Sequence, residues 1–131
     1  MEERRRTTDK QVSTTFGVVG EITHHLIDIR EHENPSCLFV CSRKDVYDFF
    51  TQQTYTTSSG KPYVEVLFAS DLKRVQQFTC GKEYSNIFFI GDVDSMVEAY
   101  VLSRHRRPRH TGPKTVTWFS DCELNNMGWS K

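Results

Sequence analysis

The sequence lacks several features that would define its class at once. No apolar run approaches the roughly 18 residues that a membrane span requires, and no apolar stretch of the kind found in secretory signals follows the polar first six residues. Internal repeats and low-complexity segments are also missing. We therefore expect a single globular domain over residues 14–124, without membrane contact, between polar tails at residues 1–13 and 125–131.

Cysteine is scarce and its spacing excludes the common zinc modules. Cys37 and Cys41 are four residues apart, whereas Cys80 and Cys122 are isolated, so no second close pair completes a zinc ribbon. If residues 38–40 form a strand, Cys37 and Cys41 point to the same face as small buried hydrophobic residues. We expect reduced, structural cysteines in a reducing compartment.

Catalytic signatures are missing as well. The chain has no Gly-x-Ser-x-Gly motif, no His-x-His pair and no glycine-rich phosphate loop. The nearest approach, Gly17-Val-Val-Gly20, shows no βαβ pattern around it. We expect a protein that is not an enzyme and that needs no metal, no cofactor and no small-molecule substrate.

Acidic residues are absent from residues 103–114, and this absence is informative because the whole chain is balanced at 17 basic and 17 acidic residues. The segment holds four arginines, a lysine and two histidines. Pro108, Gly112 and Pro113 disfavour a helix or a central strand, so the segment reads as a loop. A basic loop can follow a phosphate backbone; a solvated loop or an import signal is the alternative.

The rest of the chain alternates short apolar runs with turn signals. Gly17 and Gly20 within a β-branched stretch predict a bent strand. We predict strands at residues 14–29, 37–41, 63–68, 84–90, 96–102 and 115–120, and short helices at residues 45–53 and 70–78. This pattern predicts an all-β fold, a five-stranded oligonucleotide/oligosaccharide-binding (OB-fold) barrel with one or two short helices, rather than a seven-stranded sandwich.

Three stretches carry a family resemblance. Phe16-Gly-Val-Val-Gly-Glu-Ile is similar to the first strand, and Tyr63-Val-Glu-Val-Leu-Phe-Ala-Ser-Asp-Leu to the third strand, of telomere end-binding OB domains of the Protection of Telomeres type. Residues 75–90 resemble the approach to the fourth strand of that family. Over residues 14–124 the chain therefore resembles a Protection of Telomeres-type protein.

The resemblance implies a function and a cellular location. Domains of this family bind single-stranded telomeric DNA in a groove across the second and third strands, without catalysis or cofactor. It implies a nuclear protein at chromosome ends, with single-stranded DNA and other telomere proteins as partners.

Candidate contact residues follow from this reading together with the chemistry of single-strand binding, which combines aromatic stacking with cations along the backbone. The candidates for stacking or base contact are His24, His25, Tyr55, Tyr63, Phe68 and Tyr100. The candidates for phosphate contact are Arg43, Lys61, Arg104, Arg106, Arg107 and Arg109. Strict alternation gives Tyr63 and Phe68 opposite faces, so which of the two meets the DNA stays open.

A second function class remains open beside DNA binding. Asp92, Asp94 and Glu98 form an acidic cluster close in sequence to the basic segment, and the net charge of zero departs from that of a general nucleic-acid binder. Both observations favour an OB-fold adaptor that docks another protein in a telomere or genome-maintenance complex.

Overall fold

A computed structural model describes residues 13–31, 35–104 and 115–126 of the chain. Helices and strands alternate along these segments. In chain order they are α1 (Ser13–Ile29), β1 (Cys37–Cys41), α2 (Lys44–Thr51), β2 (Val64–Phe68), α3 (Leu72–Thr79), β3 (Asn86–Ile90), α4 (Ser95–Arg104), β4 (Thr115–Phe119) and α5 (Asp121–Asn126). None of the helices in these segments is both long and apolar enough to cross a membrane.

The four strands form one parallel sheet in the order β2-β1-β3-β4. Phe39 of β1 pairs with Val66 of β2 on one side and with Phe88 of β3 on the other. A helix links each strand to the next because parallel neighbours require a crossover connection. The protein is therefore an α/β fold, and the expectation of an all-β, five-stranded OB-fold barrel is wrong.

The two central strands are buried along their whole length. All five residues of β1, Cys-Leu-Phe-Val-Cys, and all five of β3, Asn-Ile-Phe-Phe-Ile, are inaccessible to solvent. Continuous apolar runs of this kind are typical of parallel strands covered on both faces, whereas half-exposed antiparallel strands alternate. The lack of alternation in these two runs indicates a sheet between two helical layers.

Each face of the sheet carries its own apolar cluster. Helices α1, α2 and α5 cover the first face, where their buried residues pack with Phe39, Phe88 and Phe119. Helices α3 and α4 cover the second face, where they pack on Leu38, Phe89 and other strand residues. The groove across the sheet face that an OB domain offers to DNA is therefore closed in this protein by helices.

Two predicted strands are helices, and both errors have the same cause. In α1 the buried residues Val18, Ile22, Leu26 and Ile29 follow one helical face, although the stretch is rich in β-branched residues. In α4 the pair Val97 and Val101, four residues apart, is buried in the same way. Tertiary packing of one apolar stripe overrides the weak local preference of Val, Ile and Thr for strands.

The remaining predicted elements are confirmed within a few residues. Strands β1, β2, β3 and β4 lie in the predicted apolar runs, and α2 and α3 lie in the two predicted helical segments. Asp71 caps α3, since its side chain accepts a hydrogen bond from the Arg74 amide at 2.8 Å.

The cysteines are free, as the sequence indicates. Cys37 and Cys41 are buried on the first face of the sheet, and burial raises the pKa of the Cys41 thiol to about 12. The pKa of Cys37 is raised further by the same cause. The thiols of Cys37 and Cys41 are therefore unreactive and serve as apolar core residues, whereas Cys80 and Cys122 are exposed.

The fold assigns Tyr63 to the core and not to a binding surface. Its side chain is 8% exposed, and its hydroxyl donates a hydrogen bond to the carbonyl oxygen of Leu26 at 3.2 Å. Tyr63→Phe should therefore lower the free energy of unfolding by about 1 kcal/mol, and Tyr63→Ala by about 3–5 kcal/mol. Urea denaturation of both variants checks this; unchanged midpoints would show that Tyr63 lies outside the core.

Candidate functional site

The direction of the sheet defines where a ligand site is expected. All four strands end at one edge, called here the carboxyl edge, and begin at the other, the amino edge. The helix after β1 covers the first face and the helix after β3 covers the second, so the chain changes face between these two neighbours. In open α/β sheets ligands bind outside the carboxyl ends of the strands at such a switch point.

Ser42 and Gly91 meet at this switch point. Ser42 follows β1 and its amide donates to the Ile90 carbonyl at 3.1 Å, while Gly91 follows β3 with φ of 98°. A Cβ on Gly91 would overlap Ser42 Oγ and would lie 2.8 Å from Asp121 Oδ1. Only glycine therefore allows the two loops to approach this closely.

Asp92 and Asp121 connect the loops after β3 and β4 by reciprocal hydrogen bonds. The Asp92 amide donates to Asp121 Oδ1 at 3.1 Å, and the Asp121 amide donates to Asp92 Oδ1 at 3.3 Å. Ser42 Oγ also donates to Asp121 Oδ1, at 3.4 Å. Three of the four loops at the carboxyl edge are thereby held together through two carboxylates.

An open cavity of about 410 Å³ lies beside these bonds, at the ends of β3 and β4. Its size is within the range of small-molecule sites. Its described lining consists of three carboxylates, one serine and mostly apolar residues, and among these described residues there is no lysine, arginine or histidine: Phe89, Gly91, Asp92, Val93, Glu98, Trp118, Phe119, Ser120 and Glu123. The described lining is therefore acidic, and its carboxylate and hydroxyl oxygens are potential metal ligands.

Two of these carboxylates are held in place by the fold. Glu98 Oε2 accepts a hydrogen bond from Trp118 Nε1 at 2.7 Å, and the Trp118 ring stacks on Phe89. Glu123 and Ser120 form a capping box at the start of α5, with Ser120 N to Glu123 Oε1 at 2.9 Å and Glu123 N to Ser120 Oγ at 3.1 Å. The carboxylates are preorganised, so little ordering is needed when a ligand binds.

Arg43 is a basic side chain beside this acidic edge, and it is already engaged. Its Nε and Nη2 donate to both oxygens of Asp45 at 3.2 and 2.9 Å, and its Nη1 donates to Asn125 Oδ1 at 3.0 Å. The hydrogen bond to Asp45 is the main reason why the pKa of Arg43 lies above its usual value. Arg43 thus ties the loop after β1 to α5.

The donor set limits which metals fit. Within residues 13–31, 35–104 and 115–126 no three histidine, cysteine or acidic side chains converge closely enough to hold an ion by themselves. Zn²⁺ favours such sets with nitrogen or sulfur ligands. Mg²⁺ instead keeps several waters and binds through one or two carboxylates, which Asp92 and its neighbours can supply.

The aromatic residues predicted from the sequence do not converge on this edge or on any other surface. Tyr55 is half-buried with its ring 6.1 Å from that of Phe39, and Tyr100 packs against the second face of the sheet. Phe68 ends β2 with its ring 5.8 Å from that of Tyr47. Phe68 is half-buried and Tyr63 is buried, so neither ring offers an open face on which a base could stack.

The predicted histidines lie on a helix instead of a first strand. His24 is exposed on α1, and the half-buried ring of His25 meets Phe88 edge-on at 5.9 Å. The prediction that these histidines end a first strand beside a groove is therefore wrong, because residues 13–29 form a helix.

The predicted phosphate contacts are also separated. Arg43 lies at the carboxyl edge and Lys61 at the amino edge, at opposite ends of the strands. Arg104 is the last residue of α4, and Arg106, Arg107 and Arg109 lie outside the described residues. The residues on either side of this basic segment, Ser103 and Thr115, lie at the amino edge.

Sequence reasoning noticed Asp92 and Glu98 but did not connect them with Asp121 and Glu123. A pattern in the sequence could have revealed the connection. Each of three apolar runs is followed by one or two small residues and then by an aspartate, at residues 68–71, 90–92 and 119–121. These aspartates share one edge only if the strands are parallel. In the antiparallel barrel that the sequence predicted, neighbouring strands end at opposite edges, so these aspartates were not expected to lie together.

The sequence matches no protein-family model, and no curated protein or solved structure matches it either.

We predict that Gly91→Ala destabilises the protein more than Gly81→Ala. Both glycines have positive φ, which costs an alanine about 1–2 kcal/mol, but a Cβ at Gly81 meets nothing within 4 Å. The overlap with Ser42 should add about 1–3 kcal/mol at Gly91. Equal losses in urea denaturation would contradict the close approach of the two loops.

The position of His25 predicts a dependence of stability on pH. Burial is the main cause that lowers its pKa from the usual 6.5; His24 lowers it further and Asp28 opposes the shift. Between the folded and unfolded pKa values the unfolded chain binds more protons, so stability falls as pH drops through 6.5 and levels off below the folded pKa. His25→Gln should flatten this part of the curve, measured as urea midpoints between neutral and mildly acidic pH.

The matched control for this prediction is His24→Gln, which changes the exposed neighbour on the same helix. The control should retain most of the slope. An equal flattening in both variants would show that His25 is not the group responsible.

Proposed function

We propose that the protein binds a divalent cation, Mg²⁺ or Mn²⁺, together with a phosphate-bearing ligand at the carboxyl edge of its sheet. The observation that supports the proposal is an acidic cavity of oxygen donors at the strand ends, where open α/β sheets bind ligands. The proposal departs from the sequence-based expectation of a protein without metal.

The cation explains how an acidic edge can hold an anionic ligand. Without it the carboxylates of Asp92, Glu98 and Glu123 would repel a phosphate, because none of the described lining residues is basic. A hydrated Mg²⁺ on one or two of these carboxylates offsets two of the three negative charges and keeps positions that phosphate oxygens can occupy in place of water. The described side chains then position the ion, and the ligand supplies the remaining oxygen donors.

Nucleic-acid binding stays a prediction, and so does the adaptor alternative. A nucleotide unit of a single strand is one ligand that carries the required phosphate, which keeps the DNA hypothesis compatible with this site. Telomeric sequence, nuclear location and the lack of catalysis remain expectations from the sequence. The groove of an OB barrel, on which they first depended, is not present.

Two variants test the site without removing the hydrogen bonds that hold it. In Asp92→Asn the amide oxygen can still accept from the Asp121 amide, and in Glu98→Gln it can still accept from Trp118. Each removes one negative charge from the cavity. Titration calorimetry with MnCl₂ should show binding to the unaltered protein, weakened on the order of tenfold in each variant.

The control for both variants is Glu83→Gln, which removes one charge from an exposed residue that precedes β3 at the amino edge. It should bind Mn²⁺ as the unaltered protein does. ADP should bind in the presence of Mg²⁺ and not in EDTA. Equal Mn²⁺ affinity in all four proteins, or ADP binding that ignores the metal, would contradict the proposal.

A further inference from the structure

A second cavity lies at the amino edge of the sheet, remote from the acidic one. It has a volume of about 730 Å³ and is formed by the end of α1, the start of β1 and the loop before β2. Its lining is polar: Arg30, Glu31, Pro35, Ser36, Thr57, Ser58, Ser59, Lys61, Pro62 and Tyr63. Two cations and several hydroxyl groups thus face one open space.

The two cations have no charge partner in the described part of the chain. No hydrogen bond or ion pair there engages the side chain of Arg30 or Lys61, whereas Arg43, Lys44 and Lys82 each pair with a carboxylate. Burial is the main cause that raises the pKa of Tyr63, and the charge of the exposed Arg30 opposes that shift. Among the described lining residues Glu31 is the one acid beside two cations, so these residues carry an excess of one positive charge.

The loop that carries Lys61 is held in one shape. Thr57 N donates to the Lys61 carbonyl at 2.8 Å, Gly60 N donates to the Thr57 carbonyl at 2.8 Å, and Lys61 N donates to Thr57 Oγ1 at 3.2 Å. Gly60 has φ of 88°, which lets the turn close. The hydroxyl of Ser59 lies 2.9 Å from that of Thr57. These bonds reduce the cost of ordering the loop around a ligand.

We infer that this amino-edge cavity binds a phosphate group through Arg30, Lys61 and the serine hydroxyls of the loop. A guanidinium offers a planar pair of donors to two phosphate oxygens, a lysine ammonium adds a point charge, and hydroxyls complete the set of donors. This site differs from the one proposed above because its positive charge comes from side chains, so it needs no metal. The phosphate can belong to a nucleic-acid backbone or be free in solution.

Binding of a fluorescein-labelled oligothymidylate in EDTA tests the inference. EDTA removes any contribution from the carboxyl edge, so failure here and failure of the metal site are distinguishable. Arg30→Gln combined with Lys61→Gln should lower affinity about tenfold at low salt, and should reduce the slope of log affinity against log salt by about 0.7 for each lost contact. Fluorescence anisotropy at several salt concentrations measures both quantities.

The matched control is Lys73→Gln combined with Arg74→Gln, which removes the same charge from exposed positions on α3. Urea midpoints equal to that of the unaltered protein verify that each double variant is folded. Equal losses of affinity in the two double variants would overturn the inference, since they would report net charge alone.

A second measurement separates the two sources of phosphate. Inorganic phosphate added to ¹⁵N-labelled protein should shift the amide signals of Ser58, Ser59 and Lys61. Shifts without binding of the oligothymidylate would assign the site to free phosphate, and shifts with binding would assign it to a nucleic-acid backbone. No shift and no binding would overturn the inference.

Discussion

The pairing of β1 with two parallel neighbours is the interaction on which the rest of the structure depends. Cys37–Cys41 form both the ladder to β2 and the ladder to β3, so both backbone edges of this strand are satisfied inside the sheet. All five side chains are buried, alternately in the clusters on the two faces. Helices on both faces are then required, because a strand buried on both sides needs apolar cover on both.

The parallel direction of the sheet also brings carboxylates from different loops together. Acidic residues that follow strands collect at the carboxyl edge, and three of them line one cavity. The cations Arg30 and Lys61 line a cavity at the amino edge. A chain with no net charge thus has two cavities whose described linings differ in sign. The net charge of the sequence does not reveal this arrangement, because it does not record at which edge of the sheet each charged residue lies.

Sequence reasoning located most elements but not their relation to each other. The strands at Cys37–Cys41, Val64–Phe68 and Asn86–Ile90 were predictable from short apolar runs. The reading of α1 failed because Gly17 and the β-branched residues around it outweighed a helical stripe that the same residues contain. With α1 and α4 taken as strands, the alternation of helix and strand that indicates a parallel sheet was lost.

The candidate sites show the same limit. Lys61 was predicted as a phosphate contact from its residue type, and it does line a cavity with Arg30, which the sequence did not single out. Tyr63 was predicted as a stacking platform, but its hydroxyl bonds to Leu26, thirty-seven positions earlier in the chain. Contacts between residues so far apart along the chain follow from the fold and not from local pattern. A sequence read in the wrong fold class therefore cannot show which of its residues lie together.

The direction of the strands is the central claim, and nuclear Overhauser effects between backbone protons of β1 and its neighbours test it most directly. The account predicts cross-strand contacts in parallel register, with Phe39 between Val66 and Phe88, and with Cys37 near Val64 and Asn86. Contacts that pair Cys37 with Phe68 or with Ile90 would show antiparallel strands. That result would contradict the sheet and, with it, both proposed sites.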